Sequence, residues 1–412
     1  MAVIRPFAAR RPDPELVAQV AALPYDVYNR KEAKKEVERS PRSFLRIDRP
    51  ETVHPDDFDM YSDEAYATAK RMLDEAFTDG TYVTEDAPAY YIYELVMDGR
   101  SQTGLVACAS IDDYVNGVIK KHENTREEKE QDRIRHIDTC DAQTGPIFLA
   151  YREQEEISVI IRCIQKEEEP LYDFTAEDGV THRVWIVDDA ADIEALQKEF
   201  AAMDRIYIAD GHHRAASAVK VGLKRRAEHP DYNGTEEFNF FMSVLFPDSE
   251  LAILPYNRVV KDLNGLSEEG FLDAVSKVFE IEKKDAAYQP EEKGSVGMYI
   301  GGTWYKLKIH DELKTDDPVK GLDVSLLQDH VLGPILGIDD PRTSDRIDFV
   351  GGIRGLAELE RRVSEDAVAA FSMYPTSIGE LFSVADEGLL MPPKSTWFEP
   401  KLRSGIFIHL LS

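Results

Sequence analysis

One run, RIYIADGHHRAASAVK at residues 205–220, constrains the fold more than any other. Apolar residues from Ile206 to Ala209 read as a buried strand, Asp210-Gly211 as a tight turn, and the alanine-rich continuation as a helix to about Arg226. Strand and helix mix throughout the chain without strict βαβ alternation. That makes the class α+β rather than a doubly wound sheet.

The flanking segments extend this pattern. AVIRPF is a short strand, and DPELVAQVAAL a helix with Asp13 at its N-cap and Pro14 at the first helical position. PYDVYNRKEAKKEVERS passes from a turn into an amphipathic helix, and residues 61–78 form another with one buried face. AYYIYELVMDGRSQTGLVACASIDDY reads as a hairpin around DGRSQTG. REEKEQDRIRHIDT reads as a charged helix solvated on most faces. GPIFLAYR, ISVIIRCIQ and RVWIV read as buried strands, and EFNFFMSVLFP with LAILPYNRVV as a strand pair about PDSE. From 262 a helix leads to a strand and a Gly-rich hairpin. The expected division is a core region at 1–261 carrying the DGHHR motif, an inserted α+β module at 262–320, and a C-terminal segment at 321–412 returning to the core. That last segment holds helices SLLQDHVLGPIL, GLAELERRV and SIGELFSVADEG, the KSTWFEPK loop, and a final strand, GIFIHLL.

Charge excludes whole classes of partner. The formal net charge is -29 over 412 residues, which disfavours nucleic acid and anionic membranes. A local basic pocket can still hold a small anion. No apolar run reaches the roughly 20 residues needed to span a bilayer, and the N-terminus lacks the apolar core of a signal peptide. Cys108, Cys140 and Cys163 show no CxxC spacing, which points to buried thiols in a reducing cytoplasm.

Four stretches can carry chemistry. In DGHHR, a helix N-terminus offers free N–H groups and a positive dipole end, which suits phosphate. Gly211 lets backbone approach an anion, Arg214 can bind two oxygens at once, and His212 or His213 can donate to phosphate or move a proton. Asp210 either joins that site or caps the helix. Adjacent histidines point apart on regular backbone, so no metal pair is expected there. In IKKHENTREEKEQDRIRH, His122 and Arg126 flank Glu123, a candidate general base. In MPPKSTWFEPKLRSG, Lys394, Ser395, Thr396 and Lys401 can wrap an anion, although the stretch is no P-loop. In LPYDVYNR, Tyr25 and Asp26 sit in a turn, where Asp26 can meet a magnesium-bound phosphate or an amine, or cap the next helix. Arg46, Arg49 and Arg342 read as surface ion-pair residues.

PFAARRPDPELVAQVAALPYDV, FLRIDRPE, KHENT, GPIFLAY, IADGHHRAASA, LPYNRVV and MPPKSTWFEPKLRSG together resemble, nearly end to end, the bacterial family called domain of unknown function 1015. DGHHR is also similar to the DGHTR-type motif of free L-serine kinases, and more distantly to motifs of ParB and sulfiredoxin. Members of that superfamily hold nucleotide phosphates with it. This chain has His212 where sulfiredoxin has cysteine, so a motif thiol is excluded, and it shows neither the helix-turn-helix nor the basic face of ParB-like clamps. The resemblance implies a ParB/sulfiredoxin-like mixed core and nucleotide-dependent phosphoryl transfer to a small metabolite, serine or a related hydroxy or amino acid, with ATP or ADP and Mg2+. Asp210, Gly211, His212, His213, Arg214, Lys394, Ser395, Thr396 and Lys401 would hold phosphates. Glu123, Asp26 or His213 would move the proton, and Tyr25, His122 and Arg126 would face the substrate. The competing readings are a non-catalytic sensor of a nucleotide or phosphometabolite, and a phosphohydrolase.

Overall fold

Asp98 and Gly99, both at positive φ (52° and 77°), let strand Tyr90–Met97 turn directly into Arg100–Ser110. Two such residues are what a right-handed hairpin turn requires, so the strands run closer to the turn than DGRSQTG suggested. In the computed structural model, which describes residues 1–412, this hairpin lies within a nine-stranded mixed sheet. The order along the sheet is Ile119–Lys120, Ile206–Asp210, Ile147–Tyr151, Phe240–Pro247, Arg100–Ser110, Tyr90–Met97, Thr181–Val187 and Tyr172–Thr175; Ile4–Arg5 pairs beside Arg100–Ser110. The first and second of these strands are parallel, as are the third and fourth; every other pairing is antiparallel.

The chain folds as two units, Met1–Leu251 with Pro400–Ser412, and Ala252–Glu399. In the first, sheet residues Ile92, Leu105, Leu149 and Ile208 share a core with Ala215, Ala218 and Val219 of helix His212–Glu228 and with Ile157 and Ile161 of helix Glu155–Glu167. ISVIIRCIQ is therefore a helix, not a strand. Its isoleucines at 157, 160, 161 and 164 follow the helical three–four spacing, and β-branching obscured it. A second cluster, built on Phe44, Leu45, Leu73 and Tyr82, gathers the N-terminal helices.

The second unit holds a six-stranded antiparallel sheet in the order Phe279–Lys284, Thr303–Ile309, Ser295–Ile300, Ala369–Met373, Tyr256–Val260, Ile347–Gly351. Helix Gly355–Glu365 buries Leu359 against Val259, Val350 and Ala370. The unit outgrows the expected 262–320 module because the Gly-rich hairpin needs strands from both flanks to complete its sheet. For the same reason EFNFFMSVLFP and LAILPYNRVV do not pair. Phe240–Pro247 belongs to the first sheet and Tyr256–Val260 to the second. Of GIFIHLL, His409–Leu410 pairs with Ala142–Gln143, and Ile408 bridges antiparallel to Arg10. Cys108 and Cys140 are buried, whereas Cys163 is exposed, against the expectation of buried thiols throughout. No helix is long and apolar enough to cross a membrane.

Helix His212–Glu228 is pressed hard against its surroundings at Gly222, where a Cβ would lie 2.4 Å from the Phe238 carbonyl oxygen and 2.8 Å from Ile111 Cδ1. Glycine to alanine within a helix ordinarily stabilises by about 1 kcal/mol. Here overpacking costs about 1–3 kcal/mol. Gly222→Ala should therefore lower the thermal midpoint; a raised midpoint would show that the helix is not seated this way.

Candidate functional site

Ile119 lies opposite Ile206 and Lys120 opposite Tyr207, in parallel. Parallel neighbours end on the same side of a sheet, so KHENTR and DGHHR leave it together at the carboxyl ends of the strands. A bulge between Ile208 and Asp210 re-aims the chain just before the turn. The His122 and His212 rings meet edge to face with centroids 4.5 Å apart. The His122 backbone N–H points at His212 Nε2 over 3.5 Å, and the Arg126 N–H donates to His213 Nε2 at 3.0 Å. An accepting Nε2 places the proton of a neutral His213 on Nδ1.

Helix Glu127–Cys140 backs this junction. It is not solvated on most faces: Glu130, Asp132, Arg133, His136, Ile137 and Cys140 are buried. Glu130 accepts from Thr125 and Lys220, and its carbonyl accepts from Ser217 Oγ at 3.2 Å. The charges read as a solvated face are instead the seam with helix His212–Glu228.

Gly211, at φ 91° and ψ 32°, opens that helix, with no side-chain cap and no acidic residue in the first turn. The Asp210 carboxylate lies 3.3 Å from Arg214 Nη2 and 3.8 Å from Lys401 Nζ. Arg214 Nη1 donates to the Pro146 carbonyl. A Cβ on Gly211 would stand 3.0 Å from Arg214 Nε, so glycine is required here both by φ and by the guanidinium folded over it. Two of the five guanidinium hydrogens are committed to these internal partners.

Arg214 also borders a small cavity of about 30 Å³, lined among others by Tyr25, Asp48, Arg133, His136, Thr144 and Ser404. That is room for about one water. The Arg133 guanidinium lies 4.1 Å from the Tyr25 ring centroid, and burial pushes the Tyr25 hydroxyl up to about 12. Arg133 donates to Asp132 at 2.9 Å, Tyr66 OH donates to Asp132 at 3.0 Å, and Thr144 donates to Asp48 at 2.9 Å. Arg49, expected at the surface, is buried with Glu51 (2.6 Å) and donates to the carbonyls of Tyr25 and Tyr28. It ties down the turn on which Asp26 is exposed. Sequence reasoning missed Asp48, Glu51, Arg133 and His136. Their signal was the acidic and basic residues interleaved with apolar ones in FLRIDRPE and DRIRH.

Lys401 belongs to the first unit; Lys394, Ser395 and Thr396 belong to the second. Lys394 is exposed at φ 59°, and its carbonyl accepts from Arg258 Nη2 at 3.1 Å. Ser395 is buried and donates its hydroxyl to the Pro392 carbonyl at 2.6 Å, while Thr376 donates to the Ser395 carbonyl at 2.9 Å. Thr396 is half-buried. The Ser395 hydroxyl hydrogen thus fastens its own loop.

His212 finds its grouping not in His213 but with His122 and Glu123, whose ligand atoms and its own all lie within 4.8 Å of one another. Burial lowers the His122 pKa to about 4 and that of His212 well below the usual range. Both rings are neutral when folded but titrate near 6.5 when unfolded. Below about pH 6.5 the unfolded chain therefore binds more protons, and stability falls as pH drops from there toward 4. The slope per histidine is at most about 1.4 kcal/mol per pH unit. With chelator present, urea midpoints should fall between pH 6.5 and 4.5, and fall less steeply in His122→Gln; equal slopes would remove His122 as a buried neutral group.

No curated protein matches the chain. Among solved structures it is similar to a free serine kinase in complex with AMP, at 13% identity and TM-score 0.38, over 73% of this chain and 91% of the other. It is also similar to SbnI with C-terminal truncation from Staphylococcus aureus, at 11% identity and TM-score 0.40, over 74% and 87%. A conserved hypothetical protein from Pyrococcus furiosus matches at 13% identity and TM-score 0.35, over 74% and 95%. Likeness at this level carries no argument about the site. The family described as protein of unknown function (DUF1015) matches residues 4–325. That match takes in the paired strand ends, the turn and most of the residues around them, and the chain belongs to this DUF1015 family.

Proposed function

We propose that the first unit is a ParB/sulfiredoxin-like core that binds a nucleotide by its phosphates at the Gly211 turn and transfers a phosphoryl group to a small hydroxylated metabolite, serine-like in size. One observation carries this reading. The N-terminus of a 17-residue helix, opened by Gly211 at positive φ, stands beside two cations, Arg214 and Lys401, that share the Asp210 carboxylate. Free N–H groups, the dipole and neighbouring cations together make an anion site. Asp210 accepts hydrogen bonds only and cannot donate to phosphate; it sets the spacing of the two cations.

In the transfer, the acceptor oxygen bonds to phosphorus as the bond to the leaving phosphate oxygen breaks, and the hydroxyl proton passes to a carboxylate. Glu123 beside the histidine pair and Asp26 beside Tyr25 are the two candidates. Magnesium would enter largely on the nucleotide phosphates, with the carboxylate that does not take the proton available to it.

The test screens purified protein with ATP, ADP and CTP against serine and related hydroxy and amino acids. Turnover supports transfer, binding without turnover indicates a sensor, and phosphate release without a nucleotide indicates a phosphohydrolase. Arg214→Lys keeps the charge but loses the planar fork. A charge-assisted bond is worth roughly 1.5–3 kcal/mol, so titration calorimetry should show nucleotide affinity weakened by about tenfold or more with the fold intact. Wild-type affinity in Arg214→Lys would refute the phosphate site at this turn.

A further inference from the structure

His122 poses a question that phosphate binding does not answer. It is 2% exposed, and neither ring nitrogen has a hydrogen-bond partner of good geometry. A buried imidazole without partners bears the desolvation cost of two polar atoms with nothing to offset it. His212 beside it is 7% exposed, and its Nε2 faces the His122 N–H as an acceptor, so that nitrogen carries a lone pair. The half-buried carboxylate of Glu123 completes the group.

We propose that His122, Glu123 and His212 bind a divalent transition-metal ion, with zinc as the type ion. Two neutral imidazoles and one carboxylate form a donor set of borderline softness, which suits zinc, iron(II) or cobalt(II) and not magnesium. Three protein ligands leave a coordination position open to water or an anionic oxygen. The ligand atoms lie within 4.8 Å of one another, so modest side-chain rotations bring them onto one ion. Parallel pairing of Ile119–Lys120 with Ile206–Asp210 builds the site; it stands whether or not the turn holds phosphate, and with Glu123 on the ion the proton acceptor of the proposed transfer is Asp26.

Full-length protein stripped with chelator is titrated with zinc chloride in excess magnesium, and bound metal is counted by mass spectrometry after gel filtration. Cobalt chloride reports geometry through its visible d–d absorption. About one equivalent of zinc and an intense low-symmetry cobalt band are expected. His122→Ala, His212→Ala and Glu123→Gln should each weaken binding by more than the roughly 10- to 100-fold that outer-shell changes cost, while His310→Ala, in the other unit, should change nothing. Glu123→Gln is near-isosteric at a half-buried position and keeps the test valid where a histidine variant fails to fold. Absence of stoichiometric zinc in the wild-type protein, or unchanged affinity in folded Glu123→Gln, would overturn the proposal.

Discussion

Two residues of parallel pairing, Ile119 with Ile206 and Lys120 with Tyr207, bring KHENTR and DGHHR side by side. So short a pairing cannot hold itself. A parallel pair needs a long crossover, and here the crossover carries helices Glu127–Cys140, Glu155–Glu167 and Ala190–Ala201. Helix Glu127–Cys140, packed on His212–Glu228, supplies the support. Ile137 shares a core with Ala215, Ala218 and Val219, Glu130 receives Lys220 and Thr125, and Asp138 receives Lys224 at 2.5 Å and Arg225 at 3.1 Å. The strand pair defines the direction of the two motifs; the helix pair keeps them there.

An anion site on a chain of net charge -29 is not a contradiction. Screening at physiological salt acts over about 8 Å, so distant surface carboxylates contribute little at the turn. What counts there is the helix end, Arg214, Lys401 and the one carboxylate between them. That carboxylate is the obstacle as well as the organiser. It holds two cations in place, and an arriving phosphate must share them with it. Arg214 has three N–H groups beyond its bonds to Pro146 and Asp210 with which to do so.

DGHHR was legible as strand, turn and helix because each step has local causes: an apolar run, a glycine at positive φ, an alanine-rich continuation. KHENTR was legible as a motif, but its place beside DGHHR was not, since parallel pairing across more than eighty residues leaves no local mark. The grouping of His212 with His122 escaped for the same reason; spacing rules see HxxxH, not a partner on the next strand. Helix Glu155–Glu167 was misread because isoleucine favours strands locally while its period is helical. The second unit was legible as an α+β module but not in extent, because strands Ile347–Gly351 and Ala369–Met373 join a hairpin from a stretch that reads as mostly helical.

The buried charges behind the site are harder to account for by stability. Arg49 with Glu51 and Arg133 with Asp132 lie beneath the Tyr25 turn. Removing such pairs from water costs several kcal/mol per ion before attraction offsets it, and apolar replacements are often neutral or stabilising. What these groups do geometrically is more specific. Arg49 gathers the carbonyls of Tyr25 and Tyr28, and Arg133 stacks on the Tyr25 ring, so backbone and side chain of one turn are held from below by two separate guanidinium groups. Two apolar residues could fill the same volume but could not hold two carbonyls and a ring face in fixed directions. The turn carries Asp26 at the surface and Tyr25 on the cavity that Arg214 borders. Its rigidity, rather than the energy of the ion pairs, is what this arrangement secures.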